Sequence, residues 1–388
     1  MVEKGLTCEK LFLLVGSNPL PNFLATLVLK PKSVHFFHSP ETERVKSILE
    51  EAIRKKCGVS VFEETCIDDA TDAAKVRSVF GAVPCEAHLH YTGGTKIMAA
   101  HARMAFREAG GKDEQASYLD ERRGLLRFDH GHVIDLAKER LALTLFDVLE
   151  LHGIEPKKKR QKFSSDKILA DAKKIRDNVL KSPQLAGHLF RIHRENQKKR
   201  RSLKTAKQQP VSMKDLGLDL SVCQVPENDW NREQYEEWCD FLGGGWLEIW
   251  CGSLVQDIAH ERKVLVGLHC ERAGGRQFEI DVAFVRDFRF YVMSCTTSTK
   301  VDMCKSKLFE VAMRARQMGG DLARSCLVCL LHGSDSSGVS KVDQLRNDVA
   351  DIWDAPNTPR VFALDDLKEW AGIDGPKSTR SLEEWLDS

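Results

Sequence analysis

Twice within the first 110 residues an apolar run ends in a glycine-bearing turn and passes straight into a helical pattern. Lys10 to Val15 is followed by Gly16-Ser17-Asn18-Pro19 and a helix over Pro21 to Leu29. Glu86 to Tyr91 is followed by Thr92-Gly93-Gly94-Thr95 and a helix over Lys96 to Ala109. This order leaves few architectures open. A buried strand that feeds a helix and then another buried strand builds a mainly parallel, doubly wound α/β sheet. Ser33 to Phe37 adds a strand. Pro40 to Lys56 adds a helix with Val45, Ile48, Leu49 and Ile53 on one face, and 116–119 with 125–128 reads as a late hairpin.

A chain of 388 residues is too long for one ordinary core. No apolar run approaches the roughly 20 residues of a membrane-spanning helix. Leu11 to Val15 reads as a buried strand and not as a signal peptide. The expectation is a cytoplasmic protein with no membrane partner. The 12 cysteines then read as reduced thiols, with Cys326 and Cys329 packed inside the run CLVCLL.

Charge divides the chain further. The 58 basic and 57 acidic residues nearly balance, yet 18 Lys and Arg face only 5 Asp and Glu between Glu155 and Lys207. Three regions are expected: the α/β sheet over 1–150, a basic helical linker or insert over 151–227, and a second α/β domain over 228–388. In the last, Trp246 to Ile258 and Lys305 to Met318 read as helices. Lys263 to Cys270, Glu279 to Val285, Phe290 to Ser294 and Cys326 to Leu331 read as strands. The basic stretch suits a polyanion or serves as a solvated linker.

Ligands of an open parallel sheet bind at the carboxyl ends of its strands, near the switch in strand order. Both glycine turns occupy such ends. Gly16, Gly93 and Gly94 let backbone approach a phosphate, and helix-start amides supply donors. Ser17, Asn18, Thr92 and Thr95 add short polar side chains, and Lys96 adds a charge. The alternative is ordinary turn chemistry. Neither turn is G-x-G-x-x-G or a Walker loop.

The second constellation is acidic. Glu279-Ile280-Asp281-Val282-Ala283-Phe284 places two acids on an apolar strand, and Glu248 follows Gly245-Trp246-Leu247 at a helix start. Carboxylates gathered on a sheet face call for a hard cation, Mg²⁺ or Mn²⁺, with Glu248, Asp281 and Glu279 as candidate metal ligands; the alternative is that Glu279 begins the strand and faces solvent. Such an ion polarises a phosphodiester and acidifies a bound water.

The stretches VGSNPLPNFLA, VHFFHSPET and LHYTGGTKIMAAHA resemble the CRISPR-associated Rossmann fold (CARF) sensor domain over about residues 8–150. The resemblance implies a homodimer that binds a cyclic oligoadenylate, a cyclic tetra- or hexa-adenylate, across its two-fold axis. It places Gly16, Ser17, Asn18, Thr92, Gly93, Gly94, Thr95 and Lys96 near the ring, with Ser39 and Glu41 at the rim.

Likewise GGWLE, EIDVAF, FYVMSC and KLFEVAMRARQMGGDLARSCLV resemble the PD-(D/E)xK restriction-endonuclease-like nucleases fused to such sensors in type III CRISPR systems. This implies metal-dependent cleavage of DNA or RNA in antiviral defence, with Glu248 and Asp281 catalytic. The family's strand after the Asp ends in a Lys, and here that position is Thr296. Lys300, Lys305 or Lys307 would then supply the ammonium. Two alternatives follow: a ring-binding protein with an inactive nuclease-like domain, or a ring nuclease that degrades the signal.

Overall fold

The N-terminal apolar runs pair as parallel strands in the computed structural model, which describes residues 8–80, 87–159, 166–200, 237–259, 263–272, 275–353 and 357–388. Strands β1 (Lys10–Leu14), β2 (Ser33–His38), β3 (Val61–Cys66), β4 (Ala87–His90) and β5 (Ala116–Asp120) run parallel in the order β3-β2-β1-β4-β5. Then β6 (Leu125–Phe128) and β7 (Val133–Asp135) extend the sheet antiparallel. Helices α1 (Leu20–Leu29), α2 (Glu43–Cys57), α3 (Ala73–Ser78) and α4 (Lys96–Glu108) alternate with the strands. The centre of the sheet is held by burial. Leu11, Leu13 and Leu14 of β1 and Phe23 and Leu24 of α1 are wholly withdrawn from solvent, each contributing about 1.5–3 kcal/mol.

Strand β3 is absent from the expectation. Its sequence VFEETC has no clean alternation because it is an edge strand with mostly exposed side chains. It is kept in register by polar pairing, with Lys10 2.7 Å from Glu63, so its acids blunt an open edge.

Helix α5 (Leu145–Leu151) carries the chain into a second sheet. Residues Ile154–Lys159, within the expected basic linker, form β8, the edge strand of that sheet. The order is β13-β12-β11-β10-β9-β8, with β9 (Leu265–Arg272), β10 (Arg276–Arg286), β11 (Arg289–Thr296), β12 (Arg324–Cys329) and β13 (Arg360–Phe362). Pairing is antiparallel from β8 to β11 and parallel from β11 to β13. Pro156 sits where the β8 register shifts, a place where an edge strand tolerates a missing donor.

Helices α6 (Asp166–Lys181), α7 (Gln184–Arg200), α8 (Trp246–Ala259), α11 (Leu364–Ala371) and α12 (Arg380–Leu386) belong to one face of this sheet. Their core holds Trp246, Trp250, Trp370 and Trp385, so the first two tryptophans pack the interior. Helix α9 (Val301–Gly319) covers the other face, beside α10 (Lys341–Ile352). That core is continuous with the α1 and α2 side of the first sheet. Residues 160–165 and 201–227 of the expected basic region lie outside the described residues.

Candidate functional site

Strands β1 and β4 are neighbours, yet the chain leaves β1 towards β2 and reaches β4 only after β3. The two glycine turns therefore flank the switch point of the sheet, where open α/β sheets bind ligands. Their backbones touch. A Cβ on Gly16 would lie 2.7 Å from the Gly94 nitrogen, and one on Gly93 would lie 1.9 Å from the Leu14 carbonyl oxygen. No larger residue fits either place. Asn22 Nδ2 donates to the same Leu14 oxygen at 2.8 Å and is buried.

The threonines of the second turn mainly hold it in shape. Thr95 caps α4: its Oγ1 accepts from Met98 N at 3.0 Å and donates to Ala70 O at 2.8 Å. Thr92 Oγ1 accepts from Leu119 N at 2.5 Å. Ahead of them, the Tyr91 hydroxyl donates to Asp129 Oδ1 at 2.5 Å. This leaves Ser17 and Lys96, both exposed, as side chains of the turns for which no such internal hydrogen bond is seen among the described residues. Lys96 is the first residue of α4, so its charge and the amide dipoles point at one place.

Ser39 is buried and caps a short 3₁₀ turn over Pro40–Thr42. A hydrogen bond from Ser39 holds the exposed Glu41 carboxyl below its ordinary range. His90 lies under the turn, fully buried, and burial pushes its pKa down to about 3. It is a neutral core group.

The acidic centre lies on the second sheet. A stretch over 237–245 ends in a π-helical turn, Phe241–Gly245, kinked at Gly244. It delivers Glu248 into the first turn of α8, where the helix dipole favours an acid. Asp281 sits where the pleat of β10 breaks. Ile280 and Ala283 face one core and Val282 the other. Across the ladder, between the paired Ile280–Leu268 and Val282–Val266, stands Gly267 with φ +59°. An interior glycine at such a break re-aims its neighbours.

Asp281 Oδ2 accepts from Ser294 Oγ at 3.0 Å and from the Cys295 amide at 2.7 Å. Withdrawal from solvent raises its pKa nonetheless. The two hydrogen bonds and the Lys307 charge oppose that rise, and the Glu279 charge adds to it. Lys307 comes from α9 and lines a narrow open cleft of about 30 Å³ together with Glu279, Asp281 and Ser294. The Cys295 thiol, hydrogen-bonded to Cys251, buried, and subject to the charges of both Asp281 and Glu248, is held protonated well above its usual range.

The structure thus sorts the expected residues. Glu248 and Asp281 both lie close enough to Cys295 for their charges to act on its thiol. Glu279 turns to the rim, 3.4 Å from His269. Lys305 pairs with Asp348 of α10 at 2.8 Å, and Lys300 is exposed at the start of α9. Lys307 is the lysine that shares the cleft with Asp281 and whose charge acts on it. Thr296 is occupied locally, its Oγ1 accepting from Ser298 N at 3.3 Å. Among the described residues, no three His, Cys, Asp or Glu side chains gather closely enough to hold a metal alone. Two carboxylates still suit Mg²⁺, which usually takes one or two from protein and the rest from water and substrate phosphate.

The two sites are mechanically joined. Gly320 (φ +57°) ends α9, and a Cβ there would lie 2.4 Å from Asn18 Nδ2 and 2.8 Å from Glu121 Oε2. Asn18 also fixes its own turn, with Oδ1 accepting from Leu20 N at 3.1 Å. Asp321 N donates to Glu121 Oε2 at 3.2 Å. Beside this contact Gly124 packs on the Phe288 ring, at the tip of the β10–β11 hairpin. The first glycine turn and the β5–β6 turn therefore press on both elements that build the acidic centre: α9, bearing Lys307, and the hairpin, bearing Asp281. Sequence reasoning passed over Glu121, which lies in the run Asp120-Glu121-Arg122-Arg123 with no pattern to mark it.

Residues 235–351 match the model of the Card1-like endonuclease domain family. This segment, which contains Glu248, Asp281 and Lys307, is similar to that endonuclease domain. Among solved structures, Can2 from Sulfobacillus thermosulfidooxidans, in complex with cyclic tetra-adenylate, superposes with TM-score 0.67 and 16% identity over 98% of this chain and 100% of that one. Protein VC1899 from Vibrio cholerae gives TM-score 0.70 and 16% identity over 99% of each chain. A type III CRISPR defence DNA nuclease activated by cyclic oligoadenylate gives TM-score 0.52 and 18% identity over 90% of this chain and 53% of that one. At these identities the likeness is one of fold: two α/β sheets in succession. No curated protein sequence matches the chain.

Proposed function

We propose that this chain is a cyclic oligoadenylate-activated, metal-dependent endonuclease of type III CRISPR defence, working as a cytoplasmic homodimer. The reading is carried by one conjunction. An endonuclease-family segment holds Glu248, Asp281 and Lys307, and its helix α9 ends against the Asn18 turn of the switch-point site. That two-part fold is shared with Can2, which was solved holding cyclic tetra-adenylate.

In this reading the ring lies on the two-fold axis, and each protomer contributes Gly16, Ser17, Asn18, Gly93, Gly94 and Lys96. Amides of the touching turns meet phosphate oxygens, and Lys96 supplies the countercharge. Thr92 and Thr95 keep the turn in shape. Asp281 and Glu248 would hold Mg²⁺ or Mn²⁺. A divalent ion there neutralises phosphate charge and acidifies a water. Lys307 presents its ammonium on the α9 side of Asp281, against the charge that builds on the scissile phosphate. Glu279, paired with His269, stays at the rim. Ring binding shifts the Asn18–Gly320 contact and with it the placement of α9. This activates only if the ring binds the active arrangement more tightly than the resting one.

A second reading has its own observation. Thr296 stands at the family's lysine position with its hydroxyl already engaged, which favours a ring-binding protein that does not cleave. The test is cleavage of labelled single- and double-stranded DNA and RNA with Mg²⁺ or Mn²⁺, with and without cyclic tetra- and hexa-adenylate. Ring-dependent cleavage that disappears in Asp281→Asn supports the nuclease. Ring binding by calorimetry with every cleavage lane blank supports the second reading.

A further inference from the structure

Helices α6 and α7 carry ten Lys and Arg against four Asp and Glu. They are seated on the machinery that positions Glu248. Ala172, Ile175 and Val179 of α6 are buried in the same core as Trp246 and Trp250 of α8. The Arg176 guanidinium lies 5.0 Å from the Trp250 ring centre. His193 of α7 is hydrogen-bonded to Cys239 O at 2.7 Å, and a Cβ on Gly243 would lie 2.8 Å from its ring. The pair thus grips both the kinked turn before α8 and α8 itself.

Its outer surface is basic in a regular way. Lys167, Lys174 and Lys181 recur every seven residues, so they share one face of α6, and all three are exposed, as is Lys173. Lys174 lies 4.0 Å from the buried Asp171. On α7, Arg191 and Arg194 are exposed three residues apart. Asp177 is taken up by Arg176 at 2.6 Å, and Asp166 is at the helix start, where an acid is at home.

We propose that the α6–α7 pair is the docking surface for the sugar–phosphate backbone of the nucleic-acid substrate, delivering the strand to the carboxylates beside α8. The proposal rests on the nuclease reading for its location but needs no cleavage to be tested. The occupant follows from charge complementarity. Cations repeating along two packed helices match a polymer with one charge per nucleotide, and binding to such a surface releases counterions.

The test uses the full chain in EDTA, which prevents cleavage, with fluorescein-labelled 20-nucleotide poly-dT and a duplex of the same length read by anisotropy. The charge reversals are Lys167→Glu/Lys174→Glu/Lys181→Glu and, separately, Arg191→Glu/Arg194→Glu. Both variants should weaken nucleic-acid binding at least about tenfold at low salt. The triple reversal should lower the slope of log K against log salt for poly-dT by about 2, from about 0.7 per lost phosphate contact. The unfolding midpoint and cyclic tetra-adenylate binding should match the parent, because the altered side chains are exposed and lie outside the ring site. The proposal is overturned if the parent binds neither probe, if the variants bind as the parent does, or if polyglutamate competes as well as nucleic acid. That last result would assign the surface to an acidic protein. A parent that binds through these residues but never cleaves upholds the surface while removing the nuclease reading.

Discussion

Glu121 is the most informative single residue to perturb. It is largely buried where the first sheet meets the end of α9, it accepts from Asp321 N at 3.2 Å, and the Asp321 charge is close by. Burial first, and Asp321 second, push its pKa from 4.5 up to about 7. Arg316 is 3.8 Å from Asp321, so the less compensated acid of the two is Glu121. A folded carboxyl that holds its proton more tightly than the unfolded one makes folding less favourable once it ionises. The junction is therefore fully stable below about pH 4.5, loses stability as pH rises, and has lost about 3 kcal/mol above about pH 7, at 1.36 kcal/mol per pKa unit. Glu121→Gln keeps an oxygen for the Asp321 amide and removes the ionisation. Relative to the parent, the variant should gain about 3 kcal/mol at pH 8 and less than about 1 kcal/mol at pH 5. Paired thermal unfolding, followed by tryptophan fluorescence, reads this as a midpoint rise of about 5 °C at pH 8. A difference between variant and parent that does not change with pH would refute the placement of Glu121 against Asp321. So would a destabilised variant at pH 8.

Other perturbations separate the roles of neighbouring residues. Lys307→Met should slow ring-stimulated cleavage by about 100-fold, as loss of a charge-stabilising donor does, while leaving ring affinity unchanged by calorimetry. Lys305→Ala removes only a half-exposed pair with Asp348, so cleavage should stay at the parental rate and stability should change by about 1 kcal/mol or less in a denaturant titration. Thr95→Ala deletes the α4 cap and the bond to Ala70, which should lower stability by about 1–2 kcal/mol by the same titration. Gly93→Ala brings a methyl onto the Leu14 carbonyl; cyclic tetra-adenylate binding should be lost, as calorimetry would show, because the two turns can no longer touch.

Much of this organisation was legible where backbone chemistry demands particular residues. Gly16, Gly93 and Gly94 mark the switch point because nothing larger fits where the turns meet, and Asp281 stands out because an acid inside IDVAF needs a reason. Strand β3 was hidden because an edge strand can be mostly polar. Strand β8 was hidden because its sequence IEPKKK, with Ile154 as its one core residue and a proline inside it, reads as a basic linker. The lysine was only partly legible. Lys300, Lys305 and Lys307 sit within eight residues, and only the packing of α9 on β10 and β11 decides that Lys307 faces Asp281 while Lys305 faces Asp348. Glu121 carried no signal, since its role depends on a contact 200 positions along the chain.

Ring-controlled cleavage depends above all on communication between the glycine turns and the acidic centre. Its most direct test is the single-turnover cleavage rate against cyclic tetra-adenylate concentration for the parent and for Lys96→Met. The parent's rate should rise at least about tenfold with the ring. In Lys96→Met the activating concentration should move up by about 10–100-fold, the value of one charge-assisted phosphate contact, with the maximal rate unchanged. A parental rate indifferent to the ring, or a Lys96→Met response identical to the parent's, would contradict it.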